Sequence, residues 1–276
     1  MQLAVTWTAK KRTFAPLIYT GDIKECFRKA SEMGYQGVEM SIQRATDVAV
    51  QTVIDAAGRY GLTVSAVGTG LAMMEDGLSF SSHDENIRKA ASERFIEQIA
   101  FAAKLNAPVI LGLIHGKLSS SQDKRLRERE WIYDITRSSA LYAKELGVDF
   151  IIEPINRYET NFINSISEAL DFIAEIDTGN LGVMADAFHM NIEEINLSDS
   201  IRLAGNNLTY VHLSDSNRFR PGGGHIDFKS ILSVLREINY KGFMSMEFLP
   251  GANADESAKE AIDFIIKQSV KSEPVN

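Results

Sequence analysis

The 276-residue chain sets 29 Lys and Arg against 37 Asp and Glu, a formal net charge of -8, with 45% hydrophobic and 24% charged residues. This balance fits a globular chain with a sizeable core and disfavours a nucleic-acid surface, which needs a basic stripe to neutralise phosphates. Cys26, the single cysteine, allows no internal disulfide, and no apolar run approaches a signal peptide or the ~20 residues of a membrane span, so a cytoplasmic protein without membrane attachment is expected.

Short apolar, β-branched runs alternate with amphipathic helical patterns throughout. Residues 3–7 read as strand one. Asp22 then caps a helix whose apolar stripe is Ile23, Cys26, Phe27 and Ala30, and Gly34 ends it. Residues 37–40 form strand two, ending near Glu39. Asp47 precedes the next stripe, Val50, Val53, Ile54 and Ala57, which Gly61 stops before strand three at 62–67. The glycine-punctuated stretch 68–81 is a long loop, either a lid or an insertion. A helix follows with Ile87, Ala91, Phe95, Ile99 and Ala102 on one side. Residues 108–114 make strand four and lead into His115-Gly-Lys117. The next helix turns Ile132, Ile135, Tyr142 and Leu146 inward, and its Lys124, Arg125, Arg127 and Arg129, interleaved with Glu128 and Glu130, read as a solvated face.

Strand five runs through Ile152 and delivers Glu153 just before Pro154, which has no N–H to donate and so marks the strand's end. Ser165-Ile-Ser-Glu168 is a capping box opening a helix striped by Ala169, Phe172, Ile173 and Ile176. Strand six, 181–185, ends at Asp186. Strand seven starts at 209–211 and presents His212. Beyond Pro221-Gly-Gly-Gly224, a flexible turn, Asp227 caps a helix with Ile231, Val234, Leu235 and Ile238. Strand eight, 242–246, ends at Glu247. The last helix carries Ala258, Ala261, Ile262 and Ile265, and the tail from Ser272 is expected to fray.

Eight strands, each followed by a helix, predict an α/β fold closed as one (β/α)₈ TIM barrel over residues 1–276. An open doubly wound sheet would call for a phosphate-binding glycine fingerprint after strand one, which the sequence lacks. In such a barrel the active site gathers at the C-terminal ends of the strands. Four successive strands end in Glu153, Asp186, His212 and Glu247, each about one β/α unit from the next. Three carboxylates and an imidazole form a hard donor set that suits Mn²⁺, Mg²⁺ or Co²⁺. A divalent cation would also relieve the mutual repulsion of the carboxylates. The plainer alternative is four unrelated polar strand caps. Glu159, His189 and Arg218 lie close behind these positions in sequence; His115 and His225 are weaker candidates.

The motifs Glu-Pro-Ile-Asn-Arg-Tyr-Glu-Thr from Glu153, Asp-Ala-Phe-His-Met-Asn-Ile-Glu-Glu from Asp186, His-Leu-Ser-Asp-Ser-Asn-Arg from His212 with Pro-Gly-Gly-Gly-His-Ile-Asp-Phe, and Met-Glu at strand eight resemble the sugar isomerase/epimerase barrels of the xylose isomerase-like type. Within them the chain is most similar to ketose 3-epimerases of the D-tagatose/D-psicose type and to 5-keto-L-gluconate epimerases. The resemblance implies that Glu153, Asp186, His212 and Glu247 hold one metal ion, Mn²⁺ first, with Mg²⁺ or Co²⁺ as alternatives. It also implies that Glu153 and Glu247 exchange protons with the substrate through a cis-enediolate, and that Glu159, His189 and Arg218 hold its oxygens. The implied substrate is a small sugar or keto-sugar acid, and the implied assembly a homodimer or homotetramer.

Two positions depart from the pattern. Ala187 follows Asp186 where relatives often have Thr, and His115 stands where a keto-acid enzyme would be expected to carry Arg. Lys117, with His115, is therefore expected to meet any substrate carboxylate. Other readings are aldose–ketose isomerisation or polyol-ketone dehydration at the same metal site, and a catalytically dead sugar-binding barrel. An apurinic-endonuclease-like nuclease is a further reading, disfavoured by five histidines and a pI near 5.3.

Overall fold

A computed structural model describes residues 2–10 and 15–269; the expected fraying from Ser272 lies outside the described residues. Eight parallel strands pair in chain order: β1 (Gln2–Thr8), β2 (Gly37–Ser41), β3 (Thr63–Gly68), β4 (Val109–Leu111), β5 (Phe150–Ile152), β6 (Leu181–Asp186), β7 (Leu208–Leu213) and β8 (Phe243–Met246). Pairing of β8 with β1, from Gln2 opposite Phe243 to Val5 opposite Met246, closes the barrel. A two-residue strand, Tyr19–Thr20, adds to the upper end of β1.

Side-chain alternation along each strand sorts two cores. Ala66, Ile110, Ile151, Met184 and Tyr210 fill the barrel interior. Their strand neighbours Val67, Val109, Leu111, Phe150, Ile152, Val183 and Val211 face outward and join the layer packed under the helices. The same parity fixes the rim. Ile151 points inward, so Glu153 two residues on does too; Met184 sets Asp186 inward, and Tyr210 sets His212 inward. On β8, Met244 and Met246 belong to the outer layer, which turns Glu247 toward the axis.

The helices are α1 (Ile23–Met33), α2 (Val50–Tyr60), α3 (Leu71–Asp76), α4 (Glu85–Lys104), α5 (Gln122–Glu145), α6 (Ile166–Ile176), α7 (Ala187–Glu193), α8 (Leu197–Ala204), α9 (Phe228–Glu237) and α10 (Ala254–Ser269). Asp22 caps α1 by accepting from the Lys24 N–H at 2.9 Å, and Gly34 closes it at φ +93°, a conformation that favours glycine. Ser165 caps α6, but Glu168 accepts from the N–H of Asn164 rather than of Ser165, a capping box shifted by one residue.

The structure corrects the sequence reading in several places. Of the stripe given to α2, Val53 is buried and Ile54 is exposed, while Asp47 ahead of it accepts from the N–H groups of Gln43 and Arg44 and braces the turn before the helix. Strand four stops at Leu111, and Leu113–His115 form a single 3₁₀ turn. The 68–81 stretch contains α3, which Asp76 ties down through Arg94 at 2.7 Å and Gln43 at 2.8 Å. Two short helices, α7 and α8, follow β6. Glu128 is buried rather than solvated, because its carboxylate accepts from the Ser119 N–H at 2.6 Å and meets His83 Nε2 at 2.7 Å.

Candidate active site

The C-terminal mouth of the barrel holds a cavity of about 250 Å³, lined by Glu153, His189, His212, Arg218, Glu159, Glu247 and Glu39 on its polar side. Ala15, Pro16, Leu17, Leu71, Met74 and Leu113 form the apolar side, so α3 is a wall of the site. Glu153 and Glu247 sit one residue beyond their strands, yet their N–H groups still donate to Leu111 and Leu213, prolonging the ladder to the rim.

One ligand atom from each of Glu153, Asp186, His212 and Glu247 can be chosen so that all four lie within 4.8 Å of one another. His212 Nδ1 stands 3.4 Å from Asp186 Oδ2, 3.5 Å from Glu247 Oε2 and 3.8 Å from Glu153 Oε1. The two inner residues each have one half anchored and one half free. Asp186 Oδ1 caps α7 by accepting from the N–H groups of Phe188 and His189, while Oδ2 is buried without a hydrogen-bond partner. His212 Nε2 is held by Glu39 at 2.9 Å, while Nδ1 is buried without a partner. Buried polar atoms are nearly always satisfied. Two orphans aimed at one point among carboxylates fit a divalent cation, and the oxygen-rich donor set suits a hard one.

The electrostatics agree. Burial, reinforced by Glu247 and Asp186, raises the Glu153 carboxyl well above its ordinary range. Burial likewise raises Glu247, to about 7, against the opposing pull of His212 and Arg218. Asp186 is pulled the other way: His189 and His212 outweigh its burial and hold it low. Burial works against a charged His212, but the Glu39 and Glu247 carboxylates lift it well above its ordinary value. Three carboxyl groups crowded into one volume repel one another, a cost that a divalent cation would offset.

A second tier surrounds the four. Asn156 donates from Nδ2 to His189 Nδ1 at 2.7 Å, which leaves His189 Nε2–H facing Glu153 and Asp186 at 3.9 and 3.8 Å. Burial pushes His189 down to about 4, so it is a neutral donor. Arg218 reaches Glu247 at 3.1 Å and Glu159 at 3.3 Å, with its guanidinium 4.5 Å from the Phe188 ring centroid. Its backbone is left-handed at φ +60°, uncommon without glycine. Asp215 enforces this: its carboxylate accepts from the N–H groups of Ser216, Gly222 and Ile226, and its carbonyl accepts from Arg218.

Two expected substrate contacts do not reach the cavity. Lys117 is exposed and absent from the lining; His115 is buried beside Phe162, its Nδ1 on the Gly116 carbonyl and its pKa pushed down to about 4 by burial. His225 is exposed and braces the loop through Ser216 Oγ at 2.9 Å.

Residues 27–268 match the family model described as "Xylose isomerase-like TIM barrel". The chain belongs to that family. It is 32% identical to D-psicose 3-epimerase of Agrobacterium fabrum, over 87% of this chain and 80% of that one. Identity to 3-dehydro-D-guloside 4-epimerase of Escherichia coli is 29%, over 82% and 87% of the two chains. A crystal structure of D-psicose 3-epimerase with D-tagatose, from Clostridium cellulolyticum H10, superposes with a TM-score of 0.80 at 26% identity, covering 98% of this chain and all of that one. With these family members the chain is an enzyme of the isomerase class. Among the described residues, no helix is long and apolar enough to cross a membrane.

Sequence reasoning missed Glu39, Asp215 and Gly112. Glu39 carried a signal like that of the four candidate ligands, a polar side chain late in a strand, with inward parity set by outward-facing Val38 and Met40. Gly112 carried none: a Cβ there would stand 2.5 Å from Glu153 Oε2. Its backbone, φ −113° and ψ −129°, lies outside the regions that residues with a Cβ favour, so Gly112→Ala is expected to cost stability as well as to displace the Glu153 carboxylate. Misplacing a reacting group by ~1 Å costs on the order of 10²-fold. The expected outcome, measured below the melting temperature of the variant, is a drop of roughly that size in kcat together with a lowered melting temperature; unchanged kcat would show that the contact is slack.

Proposed function

We propose that this protein is a metal-dependent epimerase that inverts the carbon next to the ketone of a ketose, with Glu153 and Glu247 as the two proton-transfer groups. The observation that carries the reading is the pair of half-buried, cavity-facing carboxyl groups flanking two orphaned ligand atoms, Asp186 Oδ2 and His212 Nδ1. The epimerases among its relatives support it.

Glu153, Asp186, His212 and Glu247 would hold the metal. When bound, a divalent cation polarises a carbonyl and stabilises negative charge on its oxygen, which acidifies the hydrogen on the neighbouring carbon. One glutamate, as carboxylate, takes that hydrogen as a proton from one face; the C–H electrons become a C=C bond and the ketone oxygen gains the charge. The other glutamate, as carboxylic acid, gives its proton to the opposite face of the same carbon, and the carbonyl re-forms. The two glutamates end the turnover with protonation states exchanged. His189 Nε2–H and the Arg218 guanidinium donate to substrate oxygens, and Glu159 accepts from a hydroxyl.

Among the described residues the lining offers one guanidinium, Arg218, already paired with Glu159 and Glu247, and Lys117 stands outside it. A neutral ketose is therefore the better substrate, because a carboxylate left unpaired in such a site forfeits a few kcal/mol. Mn²⁺-loaded protein is expected to interconvert a free ketohexose or ketopentose with its 3-epimer, read by NMR, with kcat/KM at least about 10²-fold above that for a ketohexonate. Preference for the ketohexonate would return the keto-acid reading. No epimerisation of any ketose or ketohexonate would remove the proposal.

A further inference from the structure

The barrel interior below the mouth holds a buried hydrogen-bonded strut that the proposed chemistry does not use. Ser65 Oγ on β3 lies 2.7 Å from the Tyr210 hydroxyl on β7, Tyr210 donates to Glu39 Oε2 on β2 at 3.2 Å, and the same oxygen meets His212 Nε2 at 2.9 Å. All four residues are nearly inaccessible, at 3, 1, 1 and 1% exposure in the order given. The strut spans from the β2–β3 side to β7, joining residues more than a hundred positions apart in sequence.

Resting on the reading that His212 is a metal ligand, we propose that Glu39, held by Tyr210 and Ser65, is the positioning residue that fixes the His212 tautomer. An ionised carboxylate only accepts hydrogen bonds, so Nε2 must carry the hydrogen and Nδ1 must keep its lone pair. Nδ1 is the orphaned atom that faces Asp186 and Glu247. In the opposite tautomer a lone pair would face the Glu39 oxygen and an N–H would point into the ligand cluster. Tyr210 holds the geometry twice: its hydroxyl anchors Glu39, and its ring packs edge-on against the His212 imidazole at 5.6 Å and 78°.

The backbone shows that the strut is built in. The β2–β3 register slips between Val38 and Glu39, leaving Ser65 without a partner between Val64 and Ala66. A second slip, between Val183 and Met184, leaves Thr209 extra immediately before Tyr210. Bulges re-aim side chains at the cost of regular ladder bonds, and both register slips fall where the strut needs an inward hydroxyl.

The test is calorimetric titration of metal-stripped protein with Mn²⁺, together with ¹⁵N NMR of labelled histidine in the Mg²⁺-loaded protein. Partners that orient a metal-bound histidine typically contribute about 10–100-fold in affinity, so Glu39→Gln is expected to weaken Mn²⁺ binding within that range. Tyr210→Phe, which keeps the ring and its packing, is expected to weaken binding less, by several-fold. In the wild type His212 should show a protonated Nε2 and a metal-bound Nδ1, and Glu39→Gln should blur that signature. Wild-type Mn²⁺ binding with both variants within twofold and an unchanged His212 signature would overturn this inference alone. A wild type that takes up no Mn²⁺, or a His212→Ala protein that binds it unchanged, would overturn the metal assignment beneath it.

Discussion

Glu153→Gln and Glu247→Gln are each expected to lower the rate of epimerisation by about 10²–10⁴-fold, the usual contribution of a positioned acid or base. Glutamine keeps the volume and one oxygen, so the barrel rim should hold its shape; what disappears is the ability to carry a proton. Each change also removes a negative charge from the metal cluster, so Mn²⁺ occupancy must be measured alongside the rate. With metal bound, the two variants should fail asymmetrically. The enzyme that keeps the group facing a given epimer's hydrogen can still remove and return it, exchanging it with solvent without inverting the carbon. One-sided exchange from opposite epimers in the two variants is the expected pattern. Near-normal epimerisation by both variants, metal bound, would show that the glutamates are not the proton-transfer pair.

Chelation is expected to abolish turnover, and Mn²⁺, Co²⁺ or Mg²⁺ to restore it. Three carboxyl groups, one buried and two half-buried, share one small volume with His212, and two ligand atoms are left unpaired. Binding at a hundredfold excess over Kd adds about 2.7 kcal/mol to stability, so stripping the metal should lower the melting temperature by roughly 5–10 °C. Asp186→Asn is the informative variant. Its remaining oxygen can still cap α7 from the Oδ1 position, while the Oδ2 position becomes an amide that cannot bind the metal. His212→Ala should lose metal as well, whereas His225→Ala, on an exposed loop, should keep it. Full activity in metal-stripped protein would contradict the assignment.

Much of this arrangement is legible in the amino-acid sequence. Parallel barrel strands are buried on both faces and so appear as continuous apolar runs such as Phe150-Ile-Ile152, and the helices between them show ordinary stripes. The four proposed ligands stand out because each is the carboxylate or imidazole at the end of its strand. Glu39 has that signal too, but its partner His212 is 173 residues away, and only barrel closure brings them together. Parity would have helped: Val38 and Met40 face outward, which turns Glu39 in.

Other features are not encoded by any local period. The left-handed backbone of Arg218 depends on Asp215 gathering N–H groups from as far as Ile226. Glu128 lies in a run of charges that reads as solvent-facing, yet Ser119 and His83 cover it once two loops meet. Lys117 differs in the opposite sense, standing outside the cavity lining. Its expected role rested on His115 standing where a keto-acid enzyme would carry Arg, and the chain leaves Lys117 exposed.

The central claim is that one carbon gives up its hydrogen to one carboxyl group and receives another on its opposite face. Conversion of a ketose to its epimer by the Mn²⁺-loaded protein in D₂O tests this directly, with the product analysed by NMR. The account predicts deuterium on the inverted carbon of the product. Inversion with no deuterium at that carbon, or an aldose formed by direct hydride shift in place of the epimer, would contradict it.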